Sequence, residues 1–219
     1  MQLFYTPDID DNFYELNEQE SKHVVKVLRL KAGDRLFLTD GKGFLYHTRI
    51  VDATPKKCRV EVDKKEKKEK NRSFFLSIAV APTKNSNRYE WFVEKATEMG
   101  VDEIIPLYCD HSERKYIKTE RIRKIVIAAI KQSIKTHMPL IRPLTPMQQL
   151  LETSFQGERF IAHCQSSDLP HLFDTCMPGN NVQLLIGPEG DFSQEEIKKS
   201  KDFGFVEVSL ANSRLRTET

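Results

Sequence analysis

Residues 182–196, VQLLIGPEGDFSQEE, lead from an apolar run through a Gly-Pro-Glu-Gly turn into a helix. The apolar run predicts a short strand that is buried on both faces, as the strands of a parallel sheet are. Ser193 and Glu196 have the spacing of a capping box, which predicts the first turn of the helix, and Gly204 is a natural end for it. Gly187 and Gly190 permit backbone conformations that other residues avoid, and they let a ligand approach the main chain. In open α/β sheets such loops hold ligands, although a lone turn of this kind more often only joins a strand to a helix.

Strands and helices alternate from residue 74 onwards, which predicts an α/β fold with a mostly parallel sheet. The predicted strands cover residues 74–81, 103–108, 159–164, 182–186 and 206–210. One helix is predicted over residues 87–99, with Gly100 ending it, and another begins with Thr119 as its cap. The apolar residues of the second helix recur every 3.6 residues, namely Ile122, Ile125, Val126, Ala129, Ile130 and Ile134. The chain has no Gly-x-Gly-x-x-Gly motif, which disfavours a dinucleotide-binding site.

The N-terminal part of the chain has a different pattern. Apolar residues tend to alternate over residues 35–39, 44–51 and 58–62, and turn signals separate these segments. This pattern predicts a small β-barrel, with one helix over residues 18–27. The run Lys64–Lys70 mixes both signs of charge and lacks apolar residues, so it predicts an exposed turn or linker.

Charge is distributed unevenly along the chain, although the formal net charge is only +2. Residues 21–72 contain sixteen basic and seven acidic residues, and residues 111–142 contain nine basic and two acidic residues. Two basic zones in a nearly neutral chain predict that part of the surface binds a polyanion.

Composition disfavours several classes of protein. No apolar run is long enough to span a membrane, and the first residues lack the regions of a signal peptide, so a cytoplasmic protein is expected. The four cysteines contain no Cys-x-x-Cys pair, and the six histidines show no ligand spacing. We therefore expect neither a metal site nor a membrane partner.

A second segment completes a specific pattern. It consists of the alternating strand at residues 206–210 and the sequence LRTET at residues 215–219. Together with LIGPEG at residues 185–190, it resembles the RsmE-type family of 16S ribosomal RNA (uracil-N3)-methyltransferases, of the SPOUT class. Blocks at residues 23–34, 95–107 and 132–143 resemble the same family in the same order. The chain departs from the family pattern at Asp191 and Ala211, which replace glycines, and at Ser213–Arg214, which replaces Arg-Ile.

The resemblance implies the organisation of the whole chain. Residues 73–219 would form a trefoil-knotted SPOUT methyltransferase domain, and residues 1–72 a PUA-like β-barrel that binds RNA, with a linker. The family's final helix would follow Thr219. The implied cofactor is S-adenosylmethionine, the implied partner is 16S ribosomal RNA or the small ribosomal subunit, and the implied assembly is a homodimer.

The resemblance also places the cofactor at the loops after three predicted strands, including the loop at residues 163–167. The implied cofactor-binding residues are His163, Ile186, Gly187, Pro188, Glu189, Gly190, Ser209, Leu210, Leu215, Arg216 and Thr217. For two of these residues a purely structural role is an alternative. His163 lies in an apolar strand, where a structural role is more common, and Glu189 could accept backbone hydrogen bonds within its turn.

Uracil N3 carries a weakly acidic proton, so its methylation needs a base or a cation that stabilises the deprotonated ring. The catalytic candidates are Lys95, Glu98 and Arg216. The predicted RNA-binding residues are Lys26, Arg29, Lys31, Arg88 and Gln132. Alternatively, Lys95 and Glu98 form a surface pair, since they lie three residues apart on one helix. Trp91 and Phe92 could stack on bases, but their helical spacing favours the core or a dimer interface.

The sequence leaves three functions open. The leading hypothesis is methyl transfer to N3 of a uridine in small-subunit ribosomal RNA. A SPOUT enzyme with another target, such as a ribose 2′-hydroxyl, would keep the same cofactor loops. A non-catalytic RNA-binding protein would need neither the Gly-Pro-Glu-Gly turn nor the LRTET segment, which argues against it.

Overall fold

The computed structural model describes residues 2–9, 12–70, 72–166 and 168–219, so Ser167 of the predicted cofactor loop lies outside the described residues. The chain forms two compact units. The first comprises residues 1–71 and 127–138, and the second comprises residues 72–126 and 139–219. No helix among the described residues is long and apolar enough to cross a membrane.

The first unit contains a five-stranded sheet with the order β1-β3-β4-β5-β2, in which only β1 and β3 are parallel. The strands are β1 (Leu3–Tyr5), β2 (Phe13–Leu16), β3 (Arg35–Thr39), β4 (Phe44–Ala53) and β5 (Cys58–Lys67). Helix α1 (Glu18–Lys22) continues into a π-helical turn at His23–Val27, which confirms the predicted helix. Buried apolar side chains of the strands and of the helical segment pack into one core, which includes Phe4, Val24, Leu36, Leu38, Ile50 and Val60.

The charged run at residues 64–70 differs from its prediction. An exposed turn is wrong for its first half, because β5 extends through Lys67 and pairs with β4. The hydrogen bonds of a β-ladder join main-chain groups, so they need no apolar side chains, and most of the charged side chains remain exposed. The ammonium of Lys65 also lies 4.8 Å from the ring centroid of Phe44, a distance at which the ring attracts a cation.

The second unit contains a parallel sheet with the order β12-β10-β11-β6-β7-β8, and β9 pairs with β7. Its strands are β6 (Leu76–Val80), β7 (Glu103–Tyr108), β8 (Leu140–Ile141), β9 (Thr145–Pro146), β10 (Glu158–Ala162), β11 (Val182–Ile186) and β12 (Val206–Val208). The helices are α2 (Ser86–Met99), α3 (Thr119–Gln132), α4 (Met147–Leu151), α5 (Leu172–Thr175) and α6 (Gln194–Asp202), and the division between the two units falls within α3. The predicted α/β class with a parallel sheet is confirmed, whereas the trefoil knot stays a prediction.

Three helix ends follow the predicted signals. Gly100 ends α2 in a left-handed conformation, with φ of 91°. Ser193 and Glu196 form a complete capping box at the start of α6, and Gly204 follows its end with φ of 83°. The capping box of α6 fixes the end of the loop that follows β11, a strand that is buried between β10 and β6.

Helix α3 departs from its prediction at both ends. Thr119 is the first helical residue and not the cap, because the carbonyl of Lys118 already accepts a hydrogen bond from the Ile122 amide. Most of the apolar positions predicted for the helix are buried, namely Ile122, Val126, Ala129 and Ile130. Ile134 lies outside the helix with φ of 56° and is 45% exposed, because a left-handed residue cannot continue an α-helix.

Candidate functional site

The second unit contains a cavity of about 600 Å³ at the carboxyl ends of β10, β11 and β12. Three loops line it: residues 162–166 after β10, residues 186–191 after β11, and residues 209–218 after β12. The predicted cofactor-binding residues that line the cavity are His163, Ile186, Gly187, Pro188, Glu189, Ser209, Leu210, Leu215, Arg216 and Thr217. These three loops therefore meet where the sequence analysis expects them to meet.

Gly190 is the exception among the predicted cofactor residues. It is not among the residues that line the cavity, and a Cβ atom added there would lie 3.2 Å from Cβ of His111. The imidazole Nδ1 of His111 lies 3.1 Å from the carbonyl oxygen of Gly190 and 3.0 Å from that of Asp191. Gly190 therefore faces the loop after β7, and it is the close approach of His111 that leaves little room for a side chain.

The left-handed residue of the turn is Asp191 and not a glycine. Its φ is 63°, whereas neither Gly187 nor Gly190 has a positive φ, so the expected conformational role of these two glycines is wrong. The Asp191 carboxylate accepts hydrogen bonds from the amides of Phe192, at 2.8 Å, and Cys164, at 2.9 Å. Aspartate tolerates this conformation because its short side chain bonds nearby backbone groups. Here those bonds join the loop after β11 to the loop after β10.

Gly187 is needed for a different reason. A Cβ atom added there would lie 3.1 Å from two ring carbons of Phe192, and Phe192 is fully buried. Because a buried ring cannot move aside without disturbing the core, this position favours glycine.

Glu189 joins the turn to the segment before α2. Its carboxylate accepts a hydrogen bond of 2.9 Å from the Lys84 amide. Arg114 holds the same segment by donating to the carbonyls of Thr83, at 3.1 Å, and Lys84, at 2.7 Å. Glu189 thus accepts a backbone hydrogen bond, as its structural alternative predicts, but the donor lies in another loop and not in the turn itself.

His163 forms a wall of the cavity with a fixed ring orientation. Its Nδ1 accepts a hydrogen bond of 3.2 Å from the Gln165 amide, so Nε2 carries the hydrogen that faces Glu207 at 3.2 Å. The ring is almost completely buried. The hydrogen bond from Lys201, together with the one from His163, holds the pKa of Glu207 below its usual range.

His171 is a residue that the sequence analysis does not identify. Its Nδ1 accepts a hydrogen bond of 3.1 Å from the Phe173 amide, which leaves Nε2 to donate to the Leu210 carbonyl at 2.9 Å. The Ser209 amide also donates to the Pro170 carbonyl at 2.9 Å. These contacts position the third loop, and since the partners lie about forty residues apart, no local pattern indicates them.

An ionic cluster lies at the edge of the cavity. Nε of Arg88 and Nη1 of Arg216 lie 3.5 Å and 4.0 Å from Oε1 of Glu218. The Glu218 side chain is 10% exposed, whereas Arg216 is largely exposed. Thr217 and Glu218 form a turn, which the Thr219 amide closes by donating to the Arg216 carbonyl at 2.9 Å.

Lys95 and Glu98 lie on α2 and are not among the residues that line the cavity. Nζ of Lys95 lies 2.7 Å from a carboxylate oxygen of Glu94 and 3.0 Å from one of Glu98. These hydrogen bonds raise the pKa of Lys95, which keeps its ammonium group protonated and therefore unable to accept a proton. The structure thus brings these two residues together as a surface pair and does not bring them to Arg216.

The remaining predicted residues fall into two groups. Arg88 lines the cavity, and the exposed residues Lys26, Arg29, Lys31 and Gln132 belong to the first unit. On α2, Phe92 is buried in the core, whereas Trp91 is 48% and Met99 79% exposed.

Family models of RNA methyltransferases match both the N-terminal and the C-terminal part of the chain. Residues 68–219 match the family model of an RNA methyltransferase domain, and residues 16–63 match that of an RNA methyltransferase PUA domain. The chain is 28% identical to ribosomal RNA small subunit methyltransferase E of Buchnera aphidicola, over 99% of this chain and 88% of that protein. It is 30% identical to ribosomal RNA small subunit methyltransferase E 2 of Borreliella burgdorferi, over 90% and 82% of the two chains.

Solved structures give the same result. A probable rRNA-methyltransferase from Porphyromonas gingivalis superimposes with a TM-score of 0.94 and 43% identity, over 100% of this chain and 92% of the other. A Legionella pneumophila protein solved in complex with the cofactor SAM superimposes with a TM-score of 0.86 and 28% identity, over 99% and 91% of the two chains.

Proposed function

Because this chain belongs to the RsmE-type family of ribosomal RNA methyltransferases, we propose that it methylates N3 of a uridine in 16S ribosomal RNA of the small subunit. S-adenosylmethionine is the methyl donor. The observation that carries the proposal is the cavity at the carboxyl ends of three adjacent parallel strands, which is where ligands bind in open α/β sheets.

The residues around the cavity suit this cofactor. Its volume of about 600 Å³ falls within the range of roughly 300–1,000 Å³ that is usual for small-molecule sites. Ile186, Leu210 and Leu215 supply apolar surface for the adenine ring, and Gly187 also lines the cavity. When bound, the cofactor supplies an electrophilic methyl group on a sulfonium.

The residues of the chain have three tasks in this reaction. The loops after β10, β11 and β12 hold and orient the cofactor, and the hydrogen bonds of Asp191 and His171 fix those loops in advance. Arg88 and Arg216 supply positive charge at the edge of the cavity. Such charge stabilises the negative charge that develops on uracil when N3 loses its proton.

The first unit supports binding of the RNA. We propose that residues 1–72 act as the RNA-binding domain and residues 73–219 as the methyltransferase domain, in line with the two matched family models. Lys26, Arg29 and Lys31 are exposed in the first unit, where ammonium and guanidinium groups can bind phosphates. The enzyme would act in the cytoplasm, where the small subunit is assembled.

We also propose that the enzyme is a homodimer. Trp91 and Met99 lie eight residues apart on α2, on one face of the helix, and both are substantially exposed. Exposed apolar residues on one helix face favour an interface between two copies related by a two-fold axis. Analytical ultracentrifugation of the wild type and of a Trp91→Glu, Met99→Glu variant tests this. A wild-type monomer would contradict the dimer, and a dimeric variant would exclude this face.

The test of the function is methyl transfer from labelled S-adenosylmethionine to small ribosomal subunits that lack the modification. We expect label in 16S ribosomal RNA, and we expect calorimetry to detect cofactor binding without RNA. Binding of RNA with neither cofactor binding nor transfer would support the non-catalytic alternative.

A further inference from the structure

One carboxylate oxygen at the cavity has no partner of its own. Among the residues that the structure describes, Oε2 of Glu218 is buried without a hydrogen bond, while Oε1 lies near Arg88 and Arg216. The side chain is nine-tenths buried and belongs to the cavity lining. A buried acceptor of this kind favours a ligand that brings an N–H or O–H donor.

The two arginines restrict what that donor can be. Glu218 carries one negative charge between two positive charges, so the cluster as a whole is positive. A second cation, such as the ammonium group of the cofactor, would be repelled by the arginines. A neutral N–H that can become negative is favoured instead, because both guanidinium groups then stabilise the product of its deprotonation.

The imide edge of uracil has this chemistry. It presents the N3–H donor beside the carbonyl oxygens O2 and O4, and the cluster presents a carboxylate acceptor beside two guanidinium groups, both of which lie near Oε1. Resting on the proposed function, we propose that Glu218 accepts the N3 proton of the target uracil while Arg88 and Arg216, which both lie near its Oε1, supply the positive charge that stabilises the ring anion. Glu218 is then a catalytic residue that touches the reacting atom.

The proton transfer balances without a further reactant. The N3–H bond breaks, a new O–H bond forms at the carboxylate of Glu218, and the electron pair stays on N3 as the nucleophile for the methyl group. A carboxylate is a weaker base than deprotonated uracil in water, so the transfer depends on stabilisation of the ring anion. The guanidinium groups of Arg88 and Arg216 provide that stabilisation.

The test combines Glu218→Gln with an altered substrate. Glutamine keeps the size of the side chain but cannot take up the proton, so methylation of uridine is expected to fall by about a hundredfold. Small subunits assembled with 5-fluorouridine carry a more acidic N3–H, and this substrate should recover most of the lost rate. Cofactor affinity, measured by calorimetry, should stay near that of the wild type.

The matched control is Glu152→Gln, because Glu152 is exposed and bonds Gln148 outside the cavity. It should keep wild-type rates on both substrates. An equal loss on uridine and 5-fluorouridine would reduce Glu218 to a structural role. A large loss of cofactor affinity would show that it binds the cofactor, and an unchanged rate would remove it from the site. A wild type that does not methylate N3 at all would instead overturn the proposed function.

Discussion

Substitution of Asp191 tests how the cavity is held together. Its carboxylate accepts two backbone hydrogen bonds, at 2.8 Å and 2.9 Å, and its φ of 63° is unfavourable for most residues. Asp191→Ala removes both bonds, at about 1 kcal/mol each for a partly exposed site. Alanine also lacks the side-chain bonds that make this conformation tolerable, and the left-handed region costs it roughly 1 kcal/mol more. We expect a total destabilisation of about 3 kcal/mol.

Asp191→Gly is the matched control, because it loses the same two bonds but adopts a positive φ without strain. The loss of the two bonds alone should destabilise it by about 2 kcal/mol. For a chain of this length the alanine variant should melt roughly 6–12 °C below the wild type, and the glycine variant roughly 4–8 °C below it. Calorimetry should rank the S-adenosylmethionine affinities of the wild type and the two variants in the same order as their melting temperatures, with the alanine variant binding most weakly. Equal melting temperatures for the two variants, or an alanine variant with wild-type affinity, would refute the reasoning.

Three further predictions address the rest of the site. Gly187→Val should weaken both folding and cofactor binding, because its side chain would meet the buried Phe192 ring, whereas Gly190→Val should mainly displace His111. Thermal melting and calorimetry with S-adenosylmethionine would reveal the difference, and equal effects of the two variants on cofactor affinity would contradict this prediction. Arg216→Lys should keep the melting temperature but lower methyl transfer by about tenfold or more, which corresponds to about 1.4 kcal/mol, and full activity would leave only its ion pair with Glu218. Neutralising Lys26, Arg29 and Lys31 together should weaken RNA binding and flatten its salt dependence, and an unchanged slope of log affinity against log salt would mean that they do not contact phosphates.

Local sequence signals predicted the framework of the site well. The apolar run of β11, the capping box of α6 and the glycine after α2 are all short-range features, and each appears in the structure as expected. The family resemblance also predicted that the loops after β10, β11 and β12 form one pocket, and in the structure these three loops line one cavity. These features depend on residues that are close in sequence or that belong to a recognisable motif.

Long-range pairing explains most of what the sequence did not predict. The end of β5 has the composition of a linker, yet β4 offers it a complete set of main-chain partners. His171 contacts Leu210, and Glu189 contacts Lys84, across intervals in which no periodic pattern operates. Lys95 and Glu98 matched a family block, but the direction in which α2 presents them could not be derived from that block.

The measurement that tests the central claim most directly is the identity of the methylated nucleoside. Small subunits that lack the modification are incubated with the enzyme and S-adenosylmethionine, and the 16S ribosomal RNA is digested to nucleosides for mass spectrometry. The account predicts N3-methyluridine as the product, and its absence when the cofactor is omitted. A ribose-methylated nucleoside, or no methylated nucleoside, would contradict it.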